Sequence, residues 1–216
     1  MKPPRAARWS VLARLQLGLE ALYRVETRLP IDHFVIDEAS REAFAPARAP
    51  REQLLVRQAG DELELALYVD RAALANLERH DPAAGLDDRN FGDFCLAVEG
   101  VSHFVYLSLA AASDRRISQL ELELQAEVDK FACCVLLAGG TPNLRLRLYG
   151  EVRYHGDLDA EEIARYRTAN LEARRYATAL ERCFVGGERI TAMLAELRDF
   201  YRMSLAGKLG HIARLT

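Results

Sequence analysis

The strongest constraint on this chain lies in residues 91–137, FGDFCLAVEGVSHFVYLSLAAASDRRISQLELELQAEVDKFACCVLL. Phe94, Val98, Val101, Val105 and Leu109 recur at steps of four, three, four and four. After a polar break at residues 113–116, Leu120, Leu124, Val128, Phe131 and Val135 repeat the pattern. Apolar residues at that spacing make one stripe on a helix, and the stripe must be buried against another element. Two such stripes joined by a short turn predict a helix pair at the centre of the fold.

The flanking sequence supplies smaller elements. Residues 9–28 place Val11, Leu12, Leu15, Leu19, Leu22 and Tyr23 on one face, which predicts an amphipathic helix ended by Pro30. Residues 32–38 read as a short strand and 41–51, with Pro46 and Pro50, as a surface connection. In residues 53–70 Leu63, Leu65, Leu67 and Val69 alternate with polar neighbours after an Ala-Gly-Asp turn, predicting a β-hairpin with one wet face. Residues 71–78 read as a short helix, and Asp87 or Asp88 as the cap of the first central helix. Gly139-Gly140-Thr141-Pro142 predicts a hard stop, dividing the chain into residues 1–140 and a helical extension, 141–216, on the same core. Beyond it, residues 144–154 alternate like a strand. Residues 158–184 form a long helix with Asp159 as N-cap, and 188–205 a last helix followed by a glycine-containing tail. The expected fold class is α+β: mainly helical, with a small antiparallel sheet packed on the two-helix core and a C-terminal helical hairpin.

Charge and composition exclude several classes. The net charge is −3 and the isoelectric point about 6.0, without the basic stripe that nucleic-acid binding calls for. Arg165, Arg167, Arg174 and Arg175 make one helix locally basic, but Glu161, Glu162, Glu172 and Glu181 interleave, so that helix reads as a solvated face. No uninterrupted apolar run reaches the roughly 18 residues a bilayer requires, since Glu99, Ser102 and His103 interrupt the nearest one. Arg14, Glu20 and Arg24 recur through the first helix, leaving no signal-peptide core and making a cytoplasmic location the expectation. Cys95, Cys133, Cys134 and Cys183 form no CxxC pair and read as buried hydrophobes in a reducing compartment.

Chemistry concentrates on the central pair. Glu99 and His103, four residues apart, share a helix face, with Ser102 and Tyr106 flanking them, and the next helix carries Glu123, Glu127 and Asp129. A carboxylate–imidazole pair facing further carboxylates is the layout of a helical metal site. The same residues also make a buried ion pair, which requires every partner to be hydrogen-bonded.

In its order of parts this stretch resembles the zincin-like metallopeptidases of the ImmA/IrrE type, over roughly residues 20–140. In that family an HExxH motif on one helix is followed by a glutamate on the next, in a stretch of the form E-A-N-x-F-A. Here the segments read FCLAVEGVSHFVYL and EVDKFACCVLL, with LPID at residues 29–32 upstream. The resemblance places the motif's glutamate on Glu99, its second histidine on His103 and the third metal ligand on Glu127, with Asp129 in the asparagine position. The motif's first histidine falls on Val98, which binds no metal. Zinc held by His103 and Glu127 alone lacks the three protein ligands of a catalytic site, and Glu99 as a third ligand would no longer serve as the base.

The resemblance therefore implies a catalytically inactive zincin-like protein, free of metal or cofactor, acting as a protein-interaction or regulatory module. Its expected partner is another protein docking through the C-terminal helices, with no nucleic acid and no membrane. The alternative is a divergent hydrolase that uses zinc or another divalent metal held by Glu99, His103 and Glu127.

Overall fold

The computed structural model describes residues 9–45, 50–60, 62–138, 143–150, 158–187 and 189–215. It is a mainly helical α+β fold with one small sheet. Helix α1 (Val11–Tyr23) begins at Ser10, whose hydroxyl accepts from the Ala13 amide at 2.9 Å. It is shorter than its apolar pattern suggested. Arg24, at φ 54°, turns the chain left-handed and returns its amide to the last carbonyls, so the helix ends well before Pro30.

The expected hairpin forms from β2 (Glu52–Ala59) and β3 (Glu62–Val69), antiparallel with Glu52 opposite Val69. The sheet has one feature the sequence did not announce. The strand expected over 32–38 is a 3-10 turn at Ile31–His33 followed by a two-residue strand, β1 (Val35–Ile36). It pairs parallel to β3, giving the mixed order β1-β3-β2 with β2 at an edge. The connection expected from residue 41 onward is in part helix α2 (Glu38–Phe44), capped by Asp37. It holds because Arg41 buries its stem and sets its guanidinium over the Tyr68 ring.

After α3 (Arg71–Arg79) come the two central helices, α4 (Phe91–Ala112) and α5 (Gln119–Ala138). Asn90, not an aspartate, occupies the N-cap of α4. Phe94, Val98, Val101 and Val105 of α4 and Leu124, Val128, Phe131 and Val135 of α5 are buried in one apolar core. By length and composition α4 is apolar enough to cross a membrane, yet most of it is enclosed by the protein.

The stop at residues 139–142 lies outside the described residues, as does the end of the stretch expected as a strand from 144. Its described part is helix α6 (Leu144–Tyr149), not a strand. Leu144 and Leu148 are four apart, so helical winding turns both toward the core, while among the described residues no strand lies beside them to accept a ladder. Helix α7 (Ala160–Leu180) starts with the reciprocal Asp159–Glu162 capping box and runs into a π-helical turn at Glu181–Val185. Helix α8 (Ile190–Arg202) follows, and the expected tail is a further helix, α9 (Leu205–Leu215). Helix α7 packs on α5 and α9, and α8 packs on α1, so the C-terminal helices share the core of the rest.

Candidate functional site

Helix α4 carries polar groups on two sides, and the structure separates them. Glu99 and His103 face an open cleft of about 800 Å³. Ser102 and Tyr106, which the linear sequence set beside them, turn inward instead. Adjacent helix positions point about 100° apart, which is enough to send His103 and Ser102 to different environments.

The cleft lies between β2, the facing sides of α4 and α5, and the start of α7. Glu52 reaches in from the first residue of β2, and Glu123, Glu127 and Lys130 from α5. His103 is 6% exposed and stands between two carboxylates, Nδ1 3.7 Å from Glu52 and Nε2 3.6 Å from Glu123. Both distances are charge contacts, too long for hydrogen bonds. Burial alone would depress the imidazole, but Glu123 and Glu52 outweigh it and hold its pKa well above the usual histidine range. Glu52 is pushed up, chiefly by burial and further by Glu99 and Glu123, with His103 opposing.

Glu127 is in the cleft but turned to another partner. The Lys130 ammonium donates to Glu127 Oε1 at 2.7 Å and to Glu99 Oε2 at 3.0 Å, bridging the two helices. Burial works against the Lys130 charge, and the two glutamates more than compensate, raising its pKa well above the ordinary value. The cluster whose ligand atoms lie within 4.8 Å of one another is Glu99, His103 and Glu123, with Glu127 outside it. Val98 is fully buried in the apolar core.

The inward-facing groups build a second polar assembly. Asp129 accepts from Ser102 at 2.5 Å, from Gln125 at 2.8 Å and from the Tyr23 hydroxyl of α1. Lys208 of α9 donates to Gln125 Oε1 and to Tyr106 Oη, each at 2.7 Å, and Tyr106 in turn donates to Glu121 at 2.7 Å. Arg115 closes the chain on Glu121 at 2.6 Å. Every member has a partner, so this assembly rigidifies the joint between α1, α4, α5 and α9.

Sequence reasoning missed Glu52 and Lys130. One signal pointed to Glu52: Gly100, in the middle of an apolar helix, where a Cβ would stand 3.0 Å from Glu52 Cγ and 3.1 Å from Leu67 Cδ1. A mid-helix glycine marks a close approach. Nothing in the sequence distinguished Lys130 from a surface lysine. Comparison with protein-family models, with curated proteins and with solved structures gives no match.

Proposed function

We propose that this protein is a cytoplasmic, zincin-like scaffold without peptidase activity that binds a segment of another protein in the cleft. The observation that carries this reading is Lys130. A peptidase of the type the sequence resembles needs the Glu99 carboxylate to take a proton from water, and Glu127 to hold a metal. Here one ammonium is hydrogen-bonded to both carboxylates and lowers the basicity of each, and the position of the missing histidine is filled by a core valine. The order and spacing of Glu99, His103 and Glu127 on consecutive helices support a zincin-like descent.

The cleft suits a protein segment. Gln53, Leu54 and Val56 of the edge strand β2 line one side, and Arg165, Tyr166 and Asn170 of α7 line the other. An extended segment laid along β2 would gain main-chain hydrogen bonds from the strand and side-chain contacts from α7. On this reading the C-terminal helices contribute a wall of the docking site.

The test is peptide selection on immobilised protein, paired with an unfolded-protein cleavage assay in added zinc. Extended peptides that bind and are lost on Val56→Glu, an exposed position, support the proposal. Cleavage that disappears in Glu99→Gln overturns it in favour of the metal-dependent hydrolase. That second reading was expected to use Glu99, His103 and Glu127, whereas the described ligand atoms that lie within 4.8 Å of one another are those of Glu99, His103 and Glu123.

A further inference from the structure

The His103 ring poses a question that its ion pairs leave open. Nε2 is buried and has no hydrogen-bond partner among the described residues, and neither has Glu52 Oε1. A buried polar atom without a partner costs on the order of 1–3 kcal/mol in general, so native structures seldom keep one without a use. Both atoms belong to side chains at least nine-tenths buried, and Nε2 points at Glu123 across a gap of 3.6 Å.

We propose that Glu99, His103 and Glu123 bind one first-row divalent cation, Zn²⁺ or Mn²⁺, with Nε2 of His103 as the nitrogen ligand, the ion displacing to solvent the proton that Nε2 carries beside Glu123. The set is read from geometry and does not depend on the family resemblance, whose third ligand would be Glu127. Ligands about 2.1 Å from a tetrahedral ion stand about 3.4 Å from one another. The 3.6 Å between Nε2 and Glu123 Oε2 is already close to that spacing. The whole cluster fits within 4.8 Å, so small side-chain rotations bring the remaining oxygens in.

The surroundings have the parts such a site needs. Glu52 faces Nδ1, the far nitrogen of the same ring, at 3.7 Å. A carboxylate behind a ligating histidine fixes the ring's tautomer and raises its basicity. One imidazole with two carboxylates favours a borderline first-row ion over Ca²⁺ or Mg²⁺, which prefer oxygen alone. A carboxylate has two oxygens, so the contact of Glu99 Oε2 with Lys130 is compatible with coordination by the same side chain. The cleft is open to solvent and gives the ion an entry path.

The experiment is calorimetric titration of chelator-treated full-length protein with Zn²⁺ and with Mn²⁺. Binding of one ion per chain is expected, weakened at least thirtyfold in Glu123→Gln and changed less than threefold in Glu127→Gln. Circular dichroism verifies that each variant is folded. If Glu123→Gln does not fold, the wild type is titrated with Co²⁺, where a shifted His103 ring resonance, absent in His103→Gln, is the supporting result. No binding of any of these ions overturns the proposal, and so does equal damage from Glu127→Gln, which would move the site to the ligand set of the resemblance. Ion binding without cleavage of protein substrate supports this site and leaves the interaction reading standing. Cleavage would overturn that reading alone.

Discussion

Replacing Lys208 with methionine tests the physics of the buried polar assembly in one measurement. Lys208 has no exposed surface, and its Nζ contacts two acceptors, Tyr106 Oη and Gln125 Oε1. A neutral amine has two N–H groups, which matches that environment. Burial lowers its pKa to about 7, Arg115 pushes the same way, and Glu121 and Asp129 resist. In the unfolded chain a lysine titrates near about 10.4. Between those values the unfolded chain holds a proton that the folded protein lacks, so stability rises with pH. The slope approaches about 1.4 kcal/mol per pH unit, and from about pH 6 to about pH 9 this one group adds roughly 2.5 kcal/mol. His103 acts in the opposite direction, because its raised pKa gives stability at low pH that is lost as pH climbs through the folded value. The wild-type curve alone therefore mixes the two. The difference between wild type and Lys208→Met cancels His103, which is common to both, and leaves the lysine together with its coupling to Asp129 and Glu121. Urea unfolding followed by circular dichroism at several pH values reads it. The expected result is a wild-type advantage that grows by roughly 2.5 kcal/mol over that interval. A flat or falling difference refutes the argument that burial discharges this lysine.

Two further outcomes follow from the same geometry. Tyr23→Phe removes a buried donor to the Asp129 carboxylate while Ser102 and Gln125 remain. Stability should fall by about 1.5–3 kcal/mol, the usual worth of a hydrogen bond to a charged group, measured by denaturant titration. Gly100→Ala gains about 1 kcal/mol of helix propensity, but its methyl meets Glu52 at 3.0 and 3.1 Å. Pushing Glu52 away from His103 should lower the ring's pKa in nuclear magnetic resonance titration even where the melting temperature hardly moves.

The central helix pair was legible because each helix carries a full apolar stripe, and the hairpin because a turn separates two extended runs. Other elements were hidden for definable reasons. Helix α9 has Leu205, Leu209 and Ile212 at helical spacing, but Gly207 and Gly210 made it read as a tail. The short strand β1 falls within the strand expected over 32–38, but its reduction to two residues and its parallel pairing with β3 are arrangements that no local pattern encodes. Helix α6 alternates like a strand and winds because only its helical face finds the core. In the cleft, the i,i+4 spacing of Glu99 and His103 was visible. The partners of His103 were not, because Glu52 comes from a strand far upstream and Glu123 looked the equal of its acidic neighbours.

The buried polar assembly also bears on how the chain reaches this fold. Its bonds join residues 102 apart for Lys208 and Tyr106, 83 apart for Lys208 and Gln125, and 106 apart for Tyr23 and Asp129. Closing a loop of about 100 residues costs roughly 2 kcal/mol more entropy than closing one of about 10. Contacts of that span form after local helices and the hairpin, and chains rich in them fold slowly. Until α9 arrives, Tyr106 and Gln125 have no lysine between them, and the inner side of α4 has reason to stay wet. Lys208 is thus a keystone in time as well as in space, and collapse of the α1–α4–α5 joint to its dry form should be the last event of folding.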